Sequence, residues 1–297
     1  MNTRNIVVSR GSVVSLADLP RKSIALDGYV RGPIVNVEEE KYSFDHHDGC
    51  VRLVTSATCV QVLDALLLGL DIKDHTIYIN DVDGDTTLAT WLLLNPHRIM
   101  EPQVRELVAT VGAIDAHGPA YLVVNQELAN GFFQGVMSKV TDLQRARKYG
   151  EADLSTLLDD TIAKVDQLLN GTLDYIKRPD KERNFEITHR GTSGWVMARS
   201  ADFIFDLLYA AGHTKAVAYQ ENPDGSVTYT VGKKSEMVAN FPVGPAPKDG
   251  TILNALNTKE TGWGGSTTIG GAPRNADGSR SRLTPDEVFA IITNIVD

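Results

Sequence analysis

Cysteine is nearly absent from this chain: Cys50 and Cys59 are the only two in 297 residues, too few for a disulfide framework. They read as reduced thiols of an intracellular protein. Long apolar runs are missing as well. No stretch approaches the roughly 20 residues of a membrane span, and the first thirty residues lack the apolar centre of a signal peptide. The expectation is therefore a cytoplasmic protein without a membrane partner. Positive charge is also in short supply. The net charge of -9 argues against binding long duplex nucleic acid by broad phosphate neutralisation. It leaves small phosphorylated ligands open, since a site metal supplies charge that the formal count omits. There is no low-complexity tail and no evident internal repeat. What remains is an ordinary globular composition, 42% hydrophobic and 23% charged, long enough for one large domain or two of ordinary size.

Against that background one stretch stands out, Tyr42-Ser43-Phe44-Asp45-His46-His47-Asp48-Gly49-Cys50. Two adjacent histidines flanked by Asp45 and Asp48 place at least four potential metal-binding groups in one short turn. Imidazole and carboxylate together suit Mn, Zn or Fe, whereas Ca and Mg sites are usually all oxygen. Neighbouring side chains on an extended segment point to opposite sides, so one histidine can hold a metal while the other faces a substrate.

Taken in order, residues 5–8 and 12–16 read as short strands or a hairpin. Ser23-Ile24-Ala25-Leu26 is a clearer apolar run ending on Asp27, and residues 34–37 form another short strand. Residues 42–44 then lead into Asp45. Residues 57–68 have helical spacing, with Val60, Leu63, Leu67 and Leu68 on the core side. Residues 76–79 form a β-branched and aromatic strand that runs into Asn80-Asp81-Val82-Asp83-Gly84-Asp85. Helices follow from about 86 to 95 and from 101 to 113, the latter ending on Ile114-Asp115-Ala116-His117-Gly118. Residues 125–180 are expected to be mostly helical, best over 152–169. The charged stretch 179–183 marks a boundary, giving domains of 1–180 and 181–297. The second contains strands at 195–198, 216–219 and 226–231, with a turn at Asn222-Pro223-Asp224-Gly225. Its helices are expected at 200–211, 250–258 and from Pro285. The alternation of strand and helix predicts an α/β protein: a mostly parallel N-terminal sheet, a smaller α/β C-terminal domain, and an active site in the cleft between them. In such sheets ligands bind at the C-terminal edge of the strands, where Asp27 and Asp45 fall.

The run Asp81, Asp83, Asp85 is not an EF-hand loop. A strand precedes it, and its twelfth position is Leu92 rather than Glu. Together with Asp27, Asp45, Asp115 and the two histidines, it instead has the makings of a compact two-metal site. So many crowded carboxylates are costly without cations. Two divalent ions remove that cost, activate a water and clamp both oxygens of an in-line phosphoryl displacement. Elsewhere, His75, His97, His189 and His213 read as surface residues, Trp91, Trp195 and Phe132-Phe133 as core, and His117 as a helix-terminus histidine. Arg31 and Arg52 flank the acidic turns and read as salt-bridging residues.

Asp45-His46-His47 resembles the name-giving motif of the DHH phosphoesterase superfamily. Ile24-Ala25-Leu26-Asp27 is similar to that family's strand-borne metal-bridging aspartate, Ser56-Ala57-Thr58 to its helix opening, and Asp81-Val82-Asp83-Gly84-Asp85 to its first motif. Asp115 is then a candidate for the family's remaining metal-ligand aspartate. Gly262-Trp263-Gly264-Gly265-Ser266-Thr267-Thr268-Ile269-Gly270-Gly271 with Arg274 resembles the glycine-rich phosphate-contacting loop of the DHH-associated domain. The motif order departs from the family, whose aspartate-rich motif precedes the histidines. Either the strand order is permuted or the run is the last motif enlarged by extra acids.

The resemblance implies a metal-dependent hydrolase with two Mn ions, with Mg, Co or Zn admitted. Asp27 would bridge, His46 would ligate, and Asp81, Asp83, Asp85 and Asp115 would supply further ligands. Asp45 would orient a histidine, and His47 would hold the scissile phosphate or assist the leaving group. Gly264, Gly265, Ser266, Thr267 and Arg274 would contact the substrate phosphate. The expected substrate is a phosphodiester of a short oligonucleotide or nucleotide. The alternatives are a small-metabolite phosphatase or pyrophosphatase, or a non-catalytic phosphate- or nucleotide-binding protein. A homodimer is compatible with all of these.

Overall fold

The computed structural model describes residues 5–47, 49–51, 53–121, 125–176 and 182–297. The chain is mixed α/β and divides into two compact units, Met1–Gly118 with Val123–Pro179, and Pro119–Leu122 with Asp180–Asp297. The expected boundary at 179–183 falls partly outside the described residues.

In the first unit the apolar runs form a five-stranded sheet. Its strands are β1 (Ile6–Val8), β2 (Ser23–Leu26), β3 (Ile34–Asn36), β4 (Lys41–Phe44) and, after helix α1 (Thr58–Leu67), β5 (Thr76–Ile79). The spatial order is β1-β5-β2-β4-β3, parallel throughout except for β3, which runs antiparallel to β4. Helices α2 (Gly84–Leu94), α3 (Pro102–His117), α4 (Gln126–Asn130), α5 (Ser138–Arg145) and α6 (Leu154–Leu169) follow, with a π-helical stretch at Gly131–Val136. Strand side chains alternate between faces. On β2, Ile24 and Leu26 therefore join the large core beneath the helices. Ala25 meets a smaller cluster of Leu16, Leu19, Tyr29 and Val30 on the other face. β2 is buried along its whole length, and α2 is buried from Asp85 to Leu93.

Residues 12–16, expected as strand, differ. Val14 makes a single bridge to Val30, and Leu16–Asp18 is a turn of 3-10 helix started by the Ser15 hydroxyl. The third helix runs four residues further than the 101–113 expected, so Asp115 lies within its last turn, and His117 closes it as anticipated. His75 does not sit at the surface. It is 4% exposed, its ring 5.9 Å from that of Tyr42, while Nδ1 bonds the Lys73 carbonyl. His97 is exposed, and His189 and His213 are half-buried.

The second unit carries β6 (Glu186–Arg190), β7 (Val196–Arg199), α7 (Phe205–Ala210), β8 (Lys215–Glu221) and β9 (Val227–Lys233). After these come α8 (Ile252–Lys259), β10 (Gly264–Gly265), β11 (Ile269–Gly271) and α9 (Pro285–Val296). Its sheet order is β10-β11-β9-β8-β7-β6, with β7 and β8 parallel and the other pairs antiparallel. Trp195 anchors one core, among Tyr229, Phe241 and Trp263, as Trp91 does in the first unit. Thr284 and Glu287 form a reciprocal capping box at the start of α9, with Pro285 as its first residue. Among the described residues no helix is long and apolar enough to cross a membrane.

Candidate metal centre

β2, β4 and β5 run parallel, so their C-termini open on one edge of the sheet. Each ends in the residues singled out above: Leu26 gives way to Asp27, Phe44 to Asp45-His46-His47, and Ile79 to the acidic run that starts α2. Asp115, on α3, completes the group.

His46 is the hub. It is fully buried, and its Nε2 lies 2.9 Å from Asp115 Oδ2, 3.6 Å from Asp85 Oδ2 and 3.8 Å from Asp27 Oδ1. His47 does not turn to the opposite side as strand alternation predicts: β4 ends at Phe44, and the two rings meet edge to face with centres 4.6 Å apart. The His47 side chain is 46% exposed, with Nδ1 2.9 Å from Asp45 Oδ1 and 3.5 Å from Asp27 Oδ1. Asp45 is completely buried and also accepts from the Gly32 N–H at 2.7 Å. Burial pushes the Asp45 carboxyl up, but hydrogen bonds from His47 and Gly32 outweigh it and hold the group at about 2. An ionised carboxylate on Nδ1 fixes the His47 tautomer and leaves the lone pair on Nε2.

Asp27 is held from both sides. Its two oxygens accept hydroxyls of Thr58 and Thr86, each at 3.0 Å, and its backbone takes the left-handed conformation at φ 51°. That conformation is uncommon for a residue with a side chain, though Asp tolerates it better than most. The two threonines open α1 and α2, so the first turns of two helices fix one carboxylate.

The acidic run is more divided than its sequence suggests. Asp83 caps α2, accepting from Thr86 N–H at 2.8 Å. Asp85 reaches back across the fold. Its two oxygens accept the Thr58 and Cys59 N–H groups, both at 2.7 Å, at the start of α1, whose own N-cap Ala57 offers no side-chain acceptor. Asp81 is exposed, bonded to its neighbour Val82 N–H and, by a very short contact, to the Tyr149 hydroxyl. Desolvation, then the charges of Asp27 and Asp85, push Asp83 well above the usual carboxylate range. Burial, followed by Asp27 and Asp115, pushes Asp85 up to about 6. Burial and Asp85 together raise the Cys59 thiol far above its ordinary value, which keeps it inert.

Donor atoms of Asp27, His46 and His47 lie within 4.8 Å of one another, and so do those of His46, Asp85 and Asp115. The chemistry of that donor set fits divalent cations. Imidazole and carboxylate are mixed, and the carboxylates are crowded enough that the protein alone drives two of them toward protonation. Asp81 belongs to neither group. Asp27, His47, Asp81, Asp83, Arg10 and Tyr149 line a pocket of about 340 Å³ beside this cluster. Arg10 and Tyr149 carried no signal in the sequence, because 139 residues separate them and only the fold brings them together. Asp48 and Arg52 lie outside the described residues.

The glycine-rich segment belongs to the second unit. It forms a tight hairpin in which Gly264 pairs with Gly271 and Gly265 with Gly270. A Cβ on Gly265 would meet Gly270 Cα at 2.3 Å, so the glycines here allow two backbones to touch. Ser266 closes the turn through its N–H and hydroxyl to Ile269, and the Thr267 hydroxyl donates to Glu236. Arg274 is exposed. No protein-family model matches this sequence, and no curated protein matches it significantly.

Proposed function

We propose that the cluster around His46 is a divalent-metal centre and that the protein is a metal-dependent phosphoesterase of the DHH type, acting on a phosphodiester of a short oligonucleotide or nucleotide. The observation that supports this most is the meeting of Asp27, Asp45-His46-His47, Asp85 and Asp115 at one edge of a parallel sheet. A buried imidazole at its centre lies within 3.8 Å of three carboxylates. On this reading the late position of the acidic run in the sequence is a permuted strand order. β5, fifth in the chain, lies directly beside β2, so its acids reach the same edge.

His46, Asp27 and Asp115 would hold metal, with Asp83 adding the oxygen it does not use as a helix cap and Asp85 ligating only through the remaining lone pairs of its two capping oxygens. When bound, divalent ions would neutralise the carboxylates, lower the pKa of a water and stabilise charge on the transferring phosphoryl group. Asp45 orients His47, which lines the pocket; in its imidazolium form, with Nδ1–H on Asp45, its Nε2–H would hold a phosphate oxygen or protonate the leaving group. By the same resemblance, Gly264, Gly265, Ser266, Thr267 and Arg274 of the glycine-rich hairpin in the second unit would bind phosphate through backbone N–H groups and side-chain donors. The Thr267 hydroxyl would have to exchange Glu236 for substrate.

A second reading, a non-catalytic phosphate- or nucleotide-binding protein, is favoured by Asp85, whose two oxygens are both engaged by α1 N–H groups. One experiment separates the two. Metal-stripped protein is supplied with Mn and assayed on a bis-aryl phosphodiester, with bound metal counted. We expect Mn-dependent hydrolysis with about two ions per chain, lost together with the metal in His46→Ala and Asp27→Asn while the fold survives. Mn binding without hydrolysis would select the binding protein, and full activity in both variants would remove the site.

A further inference from the structure

The histidine pair sits where strand alternation alone would not put it. Both imidazoles approach one carboxylate oxygen, Asp27 Oδ1, at 3.8 Å from His46 Nε2 and 3.5 Å from His47 Nδ1. Neighbours on extended chain would diverge, so the backbone turns between them. The register of β3 on β4 shows what turns it. Ile34 pairs with Ser43, so continuing the ladder would set Gly32 against Asp45. The Gly32 N–H goes instead to the Asp45 side chain, donating to Oδ2 at 2.7 Å, and the Asp45 carbonyl accepts from Gln61 Nε2 at 2.9 Å. Gln61 lies on α1, and its amide also donates to the Ser56 carbonyl at 2.7 Å. Both partners are carbonyl oxygens, which only the NH2 end of the amide can serve. One half-buried side chain therefore ties Asp45 to Ser56, the two ends of the stretch that carries the histidines. The Cys50 thiol is a second, weaker donor to the Asp45 carbonyl, at 3.8 Å.

We infer that Gln61 is a positioning residue for His47. By drawing the Asp45 carbonyl out of the sheet and onto α1, it sets the His47 ring beside Asp27 rather than across the chain from it. This placement follows from the hydrogen bonds alone. The step that His47 serves, contact with a phosphate oxygen or with the leaving group, rests on the phosphoesterase reading. Gln61 does not line the pocket, so its effect passes through the backbone between Asp45 and His46. A second contact points the same way. Thr58 lies three residues before Gln61, on the same side of α1, and its hydroxyl donates to Asp27 Oδ1 at 3.0 Å. That is the oxygen the His47 ring approaches. One turn of α1 thus orients both partners, Thr58 the carboxylate and Gln61 the imidazole.

The test is a double-mutant cycle between Gln61 and His47 on the full-length, Mn-loaded protein. Gln61→Leu keeps the bulk and removes the donors, whereas Gln61→Glu keeps the shape and turns carboxylate oxygens toward two carbonyls. On a bis-aryl phosphodiester both should lower kcat about 10- to 100-fold, the range for a misplaced catalytic group, with KM nearly unchanged. Bound Mn and melting temperature should stay as in wild type. In a His47→Ala background the same substitutions should cost almost nothing more, because the group they misplace is gone. An equal loss in both backgrounds would mark a merely structural role and overturn the inference, as would full activity in both Gln61 variants. Loss of Mn in both would move the effect to His46 and overturn it as well. A readout without turnover is the imidazole NMR signal of His47, recorded with diamagnetic Mg in place of Mn and assigned by its loss in His47→Ala. It should shift in Gln61→Leu while that of His75 stays. If wild type hydrolyses nothing yet the signal shifts, the phosphoesterase reading fails and the positioning stands. If hydrolysis is Mn-dependent and the signal does not shift, the positioning fails and the enzyme stands.

Discussion

Asp85 has two functions that oppose each other when metal is absent. Its oxygens cap α1, which calls for an ionised group at a helix N-terminus, yet burial beside Asp27 and Asp115 favours the proton. Removing the acceptor should cost about 1–2 kcal/mol, the usual size of a lost N-cap. Urea unfolding of Asp85→Ala should show that loss with or without Mn, whereas His46→Ala should matter mainly when Mn is present. The pH dependence follows from the same residues. An acid raised from 3.8 to about 6 in the folded chain binds its proton more tightly there than in the unfolded one. Its contribution is complete below 3.8 and lost as pH climbs through 6, and Asp83 acts in the same direction. Asp45, held at about 2, works oppositely and loses its contribution as pH falls from 3.8 toward 2. The stripped protein should therefore melt lower at pH 7.5 than at pH 5, and Mn should raise its melting temperature more at pH 7.5. A flat profile without metal would contradict the crowding. At this scale the sequence was legible for Asp27, His46 and His47, because an apolar strand followed by a carboxylate marks a sheet edge. The bond from Asp85 to α1 spans 26 and 27 residues and leaves no local trace. His75 was misread because Lys73 and Asp74 make its neighbourhood polar while its ring packs on Tyr42.

Elements were easier to read than contacts, and their limits show where packing decides. α3 continues through Asp115 and His117 because nothing in the chain stops it before Gly118, at φ 53°. That extension brings Asp115 to His46. The helix is placed by a close approach to α1. A Cβ on Gly112 would lie 2.5 Å from Val60 Cγ2 and 3.5 Å from both Ala57 Cβ and Cys59 Sγ. Gly112→Val should push α3 outward, costing about 1–3 kcal/mol as overpacking does. It should also weaken Mn binding, measured by titration, although Gly112 touches no ligand. Unchanged Mn affinity would mean that Asp115 is not positioned by this contact. A local repetition also escaped the reading of the sequence. Asn222-Pro223-Asp224-Gly225-Ser226 and Asn275-Ala276-Asp277-Gly278-Ser279 fold into matching turns, each Asp accepting from the Ser two residues later. Only the first was recognised as a turn.

At the scale of the molecule, each unit has its own core, and every partner of His46 described here lies in the first. Mn should therefore slow amide exchange in β2, α1 and α2 and leave β8 and β9 unaffected, which exchange mass spectrometry resolves by peptide. Protection appearing in β8 and β9 instead would place the metal elsewhere. The sheet that presents the centre also carries a constraint on time. Among the described residues β1 pairs only with β5, and β5 is made some 70 residues later, to be inserted between β1 and β2. While the chain emerges, β2, β4 and β3 can already join, but β1 has no partner until Thr76–Ile79 arrives. Of the five strands in this sheet, the earliest in the sequence is therefore among the last to dock, and the turn carrying Arg10 docks with it. Weakening β1, for example by Ile6→Ala, should accelerate unfolding and leave the folding rate nearly untouched.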